Sequence, residues 1–110
     1  MIIDLAAPLP MECPEYLCFV RALPSAASGR FGGIVAHHRI GGRYSTRKTS
    51  DFEAMALTDD EHRELHDIGP HAFAERHGKS ESDMVKATLL EAMRLGVLQI
   101  DKRRARALSV

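Results

Sequence analysis

Two pairs of histidines constrain this chain more than any other feature. Ala36-His37-His38-Arg39 sets two imidazoles side by side in sequence, and Glu61-His62-Arg63-Glu64-Leu65-His66 sets two more four residues apart. Residues four apart on an α-helix share a face. His62 and His66 can therefore grip one ion between them, as the two histidines of a zincin helix do. If the segment between the pairs is a hairpin, a ligand from the first pair meets that helix face.

Local signals supply the frame. Pro14 suits the first turn of a short helix, Pro14 to Leu23, because its missing N–H is not needed there. Tyr16, Phe19, Val20 and Leu23 then fall at helical spacing and face the core, and Pro24 ends the helix. Ser25 to Gly33 is small and Gly-rich, a tight turn or knuckle-like loop. Ile34 to His38 reads as a short strand, and Ile40 to Thr49 as a basic loop. Asp51 to Leu57 reads as a second short strand or extended piece, with Phe52, Ala54 and Ala56 on one face.

The helix that follows is well marked. Thr58-x-x-Glu61 is a capping box, and Asp59 and Asp60 complement the positive end of the helix dipole. It should run from Asp59 to Asp67, with Gly69 and Pro70 as stop signals. Pro70 to His77 is a further short helix closed by Gly78. Ser80-x-x-Asp83 opens a last helix through Leu95, with an apolar stripe at Met84, Val85, Thr88, Leu89, Ala92, Met93 and Leu95. That surface suffices either to pack on the core or to form a homodimer. Residues 1–12 form an extended lead-in, and the tail 101–110 is basic and frayed.

The expected fold class is α+β. A single domain spans 1–110, with a β-β-α core over about 33–67, C-terminal helices over 70–96 and the basic tail. A chain of 110 residues supports one modest core.

Its formal charge is zero, but the charges are segregated: Arg30 to Lys48 holds five Lys or Arg and no acid, and Asp51 to Asp67 holds seven acids and one Arg. The basic stretch is either a phosphate-contacting surface or a solvated loop. Cys13 and Cys18 lack metal-knuckle spacing and would point to different faces of one helix, so they are expected as two buried or half-buried free thiols in a reducing compartment. Met1 to Leu9 is apolar but short, contains Asp4 and lacks a basic start, which argues against a signal peptide. No run approaches membrane-spanning length. The expectation is a cytoplasmic protein without a membrane partner.

A divalent metal in the β-β-α unit would take His62 and His66 from the helix and His37 from the strand. Three neutral imidazoles leave coordination positions open, as in catalytic sites. All-imidazole ligation suits Zn, Ni, Co or Mn better than Mg. Neighbours along a strand point to opposite sides, so one histidine of the pair can ligate while the other acts on water as general base. Arg39, Arg43, Arg47 and Lys48 would contact phosphates. Taken alone, a helical His-x-x-x-His is a weak signal; joined to the adjacent pair and the basic loop, it points to a metal site. His71 and His77, at the ends of the next helix, read as surface or packing residues.

The ordered set Tyr16-Leu17, Pro24, Ala36-His37-His38, Lys48-Thr49-Ser50-Asp51, Leu57, His62-Arg63-Glu64-Leu65-His66 and Phe73 to His77-Gly78 resembles the HNH, or ββα-metal (His-Me finger), endonucleases. It is similar in particular to small phage and prophage members of the recombination-enhancement type, and the resemblance covers roughly residues 14–78. It implies a metal-dependent DNA endonuclease or nickase of low sequence specificity. The implied cofactor is one divalent ion (Zn, Ni, Mn or Mg). The implied partners are DNA and a phage or host recombination protein, in a bacterium or a phage-infected cell.

By the same resemblance His37, His62 and His66 are metal ligands and His38 is the general base. Asp51 or Glu53 stands where the family has its middle Asn, with Asp51 taken as the catalytic partner. Relatives often carry a structural zinc knuckle. Here the corresponding positions are Ser25, Ser28, Thr58 and Glu61, a poor zinc set, so no structural zinc is expected and the capping box should hold the helix start. The alternative reading is a non-catalytic nucleic-acid-binding or interaction domain that keeps the fold.

Overall fold

Each helix of the chain begins where a side chain or a proline relieves the unpaired N–H groups of its first turn. The computed structural model describes residues 3–4 (backbone only), 9–41 and 49–99. Outside them lie half of the expected lead-in, the basic residues Arg43, Arg47 and Lys48, and the tail 101–110. The described residues form a mixed α+β fold. Its order is β1 (Ile3–Asp4), α1 (Pro14–Arg21), β2 (Ile34–His38), a 3-10 turn (Asp51–Glu53), β3 (Ala54–Thr58), α2 (Asp59–Ile68), α3 (Pro70–His77), α4 (Glu81–Arg94) and β4 (Leu98–Gln99).

β2 and β3 pair antiparallel, from Ile34 opposite Thr58 to His38 opposite Ala54. Every residue of β3 is buried. Successive strand side chains point to opposite faces, and β3 uses both. Ala56 packs with Tyr16, Val20, Phe52, Ala92 and Leu98, whereas Met55 and Leu57 pack with Leu65, Phe73, Met84 and Val85. The strand is therefore the wall between two apolar clusters, and β2 is held on it by the ladder. That wall fixes where His37 and His38 stand relative to α2 and α4.

Three expectations are corrected. The second strand starts at Ala54, not Asp51: Ser50 Oγ accepts the Phe52 N–H at 3.1 Å, and such side-chain acceptors compete with ladder pairing. The result is the 3-10 turn, which carries Phe52 into the first cluster. α1 ends at Arg21, two residues earlier than expected, while Leu23 still packs on the core. On α4 the buried positions are Met84, Val85, Thr88 and Ala92, but Met93 and Leu95 are 47% and 51% exposed. The chain then turns at Gly96 into β4, which pairs parallel with β1 and returns Leu98 to the first cluster.

Candidate metal centre

α2 aims two imidazoles the same way because its start is fixed. Thr58 Oγ1 accepts the Glu61 N–H at 3.2 Å, and a Glu61 carboxylate oxygen accepts the Thr58 N–H at 2.8 Å, so the capping box is formed. One turn on, His62 and His66 stand with ring centres 4.6 Å apart and with their Nε2 atoms at 3.1 Å. Tetrahedral bonds of about 2.0–2.1 Å to zinc would set two nitrogen ligands about 3.3 Å apart. The pair is thus spaced as one ion would space it.

His37 completes the group from the strand. It is 1% exposed, and its ring centre lies 5.1 Å from that of His62 and 5.4 Å from that of His66. One nitrogen from each of the three residues can be chosen so that all lie within 4.8 Å of one another. Burial, then the nearby His37 and His66, hold the His62 imidazole below its ordinary value. A neutral ring keeps the lone pair that a metal needs. Three imidazoles from two elements, close enough for one ion to bridge them, fit a divalent cation of the borderline class.

Glu81, the first residue of α4, is part of this site and escaped the sequence reading. Its Oε2 lies 2.8 Å from His37 Nε2 and 3.0 Å from the Ile40 N–H, while Oε1 accepts the Gly41 N–H at 2.8 Å. Burial pushes this carboxyl up, but the hydrogen bonds from His37, Ile40 and Gly41 outweigh it and hold it below the ordinary carboxylate range.

His38, next along the strand, turns to the 3-10 turn instead. Its Nε2 lies 2.8 Å from Asp51 Oδ1, with the ring 33% exposed. Asp51 is itself fixed: its Oδ2 accepts the Cys13 N–H at 2.7 Å. Of the two acids open to the role, it is Asp51 whose carboxylate reaches His38; Glu53 contributes its main-chain oxygen to the Arg39 N–H. With the carboxylate as acceptor, the His38 proton sits on Nε2 and the lone pair on Nδ1. Arg39 is half-buried, and its Nε donates to the Gly41 carbonyl at 2.9 Å, so part of its donor capacity is spent on the root of the loop.

The four positions matching a zinc knuckle form a hydrogen-bonded cluster. Ser25 Oγ lies 2.6 Å from Glu61 Oε1 and also accepts the N–H groups of Ala27 and Ser28 at 3.1 Å each. Arg30 adds an ion pair to Glu61 at 3.4 Å. Burial raises the Glu61 carboxyl, but hydrogen bonds from Ser25, Ser28 and Thr58 outweigh it and bring it to about 2, from an ordinary 4.5.

A group depressed on folding stabilises the fold above its unfolded value and loses that effect as pH falls through its folded value. Glu61 should therefore contribute at most about 3 kcal/mol at neutral pH. Urea unfolding of the wild-type and Glu61→Gln proteins should show a stability gap that narrows as pH drops from 4.5 to about 2. A gap independent of pH would contradict this account of the cluster.

The remaining histidines stay outside the group. His71 is 93% exposed beside Glu75, and His77 pairs with Glu64 and stacks on Phe73. Cys13 and Cys18 are free thiols; Cys13 is buried as expected, but Cys18 is exposed, on the face of α1 away from Tyr16 and Val20. Among the described residues no helix is long and apolar enough to cross a membrane.

Residues 8–96 match a family described as a protein of unknown function, DUF968, and the chain belongs to that family. No curated protein and no solved structure matches.

Proposed function

We propose that this member of the DUF968 family is a metal-dependent DNA endonuclease or nickase with a ββα-metal core, hydrolysing phosphodiesters with little sequence selectivity. The observation that carries the reading is the convergence of His37, His62 and His66 within 4.8 Å, with His38 adjacent in sequence and bonded to Asp51. The order hairpin then helix, with one imidazole on the strand and two on the helix, supports the same reading.

His37, His62 and His66 would hold the divalent ion. Bound there, it would supply Lewis-acid stabilisation of the charge that gathers on the scissile phosphate and the departing oxygen. The chain's own residues supply the rest. Consecutive Cα atoms lie about 3.8 Å apart, so His38 stands beside the ligand set even though its ring turns away from that of His37. Its Nδ1 takes the proton of an attacking water. Asp51 holds the ring in the productive tautomer and stabilises the imidazolium that results, as a buried aspartate does for the histidine of a hydrolase triad. Arg39, Arg43, Arg47 and Lys48 would hold the backbone through phosphate contacts, which carry no sequence information. Such binding weakens steeply with salt.

Supercoiled plasmid incubated at low salt with Mn, Ni, Zn or Mg should convert to the nicked circle with at least one of these ions, and a chelator should stop it. A protein that binds the ion and DNA yet leaves the plasmid intact with all of them would instead be a non-catalytic binding domain.

A further inference from the structure

We infer that Glu81 is the positioning residue of the metal centre: it fixes the tautomer and ring orientation of His37 and, with the same carboxylate, ties the backbone of Ile40 and Gly41 to that ligand. The inference rests on the metal reading above and deepens it.

The Ile40 and Gly41 N–H groups can only donate, and they approach Glu81 Oε2 and Oε1 at 3.0 and 2.8 Å. Both carboxylate oxygens are thus acceptors. His37 Nε2 lies 2.8 Å from Oε2, inside a site where His37 is 1% and Glu81 5% exposed. With each oxygen already accepting a backbone N–H, the Glu81 carboxyl group is placed as the acceptor of this contact as well, which assigns its proton to His37 Nε2. The His37 lone pair is then on Nδ1, the nitrogen left for an ion. Metal-bound histidines characteristically donate their second ring N–H to a carboxylate or carbonyl, which sets the ring and raises its basicity.

The same carboxylate explains a glycine. A Cβ on Gly41 would stand 2.9 Å from Glu81 Oε1, closer than such atoms approach. A side chain there would push the carboxylate off its partners. Gly41 immediately precedes in sequence the basic stretch with Arg43, Arg47 and Lys48. One buried acid on α4 therefore anchors both a ligand of the candidate ion and the residues just ahead of the stretch proposed to hold phosphate.

The test is long-range 15N NMR of the histidine rings, run metal-free and with Zn, alongside Zn affinities of wild type, Glu81→Gln and Gly41→Ala. Wild-type His37 is expected to carry its proton on Nε2 before Zn is added and to bind Zn through Nδ1. Glu81→Gln should still take one Zn per chain but 10–100-fold more weakly, because an amide no longer accepts from every donor. Gly41→Ala should weaken Zn binding in the same direction and keeps the inference testable should Glu81→Gln fail to fold.

A wild-type His37 protonated on Nδ1, or variants that bind Zn as tightly as wild type, would overturn the role of Glu81 while leaving the metal site standing. Zn that fails to bind wild type overturns both, and the metal-free tautomer then shows whether the Glu81–His37 contact itself exists.

Discussion

A His38→Ala protein is expected to keep its divalent ion and its fold and to lose plasmid nicking by about 10²–10⁴-fold, the range a positioned general base supplies. The separation follows from geometry. His38 does not belong to the group His37, His62 and His66, so ion affinity should stay at the wild-type value. Its ring is 33% exposed, so water can reach the Asp51 oxygen that loses a partner, and Asp51 keeps the Cys13 N–H. Unfolding free energy should therefore change by less than about 1 kcal/mol. Nicking rates, ion stoichiometry and urea midpoints measured together check all three parts. Normal cutting by the variant would mean that another group activates the water.

The second large effect is the loss of the ion itself. In His62→Ala combined with His66→Ala, divalent ions should no longer raise the melting temperature. In wild type, an ion at 100 times its dissociation constant should add about 2.7 kcal/mol of stability. Metal-free stability should barely move, because His66 is exposed and His62 half-buried and alanine is the better helix former. Core substitutions on the inner face, such as Leu65→Ala, would cost about 2–5 kcal/mol with or without metal. Thermal scans across an ion titration distinguish the two. A double variant that still gains stability from the ion would place the ligands elsewhere.

How far the sequence carried these conclusions depended on the range of the interaction. The starts of α2 and α4 were legible to the residue, since a capping box is built from side chains three positions apart, and both boxes form. The facing of His62 and His66 was legible for the same reason. Bringing His37 to them needed only the antiparallel hairpin, which the pattern implied and the β2–β3 register supplies.

What lay further apart was hidden. Glu81 stands 44 residues from His37, and directly after a Ser cap an acid reads as a dipole-complementing surface residue. The pairing of β1 with β4 joins two-residue segments near opposite ends of the chain, too short to leave a period. The early start expected for the second strand came from reading Asp51 and Phe52 by alternation, whereas Ser50 had already claimed the Phe52 N–H for a turn. That misread turn is also what presents Asp51 to His38. At the knuckle, the sequence showed that four positions were a poor zinc set, but not that Ser25 and Glu61 would bond to each other across 36 residues.

The most direct test of the account is a Zn titration of the wild-type chain followed by 15N NMR of its imidazoles, with elemental analysis of the loaded protein. The account predicts one ion per chain, with the resonances of His37, His62 and His66 moving together as it binds. A chain that takes up no ion at millimolar Zn, or one that binds Zn while those three imidazoles stay unshifted, would contradict it.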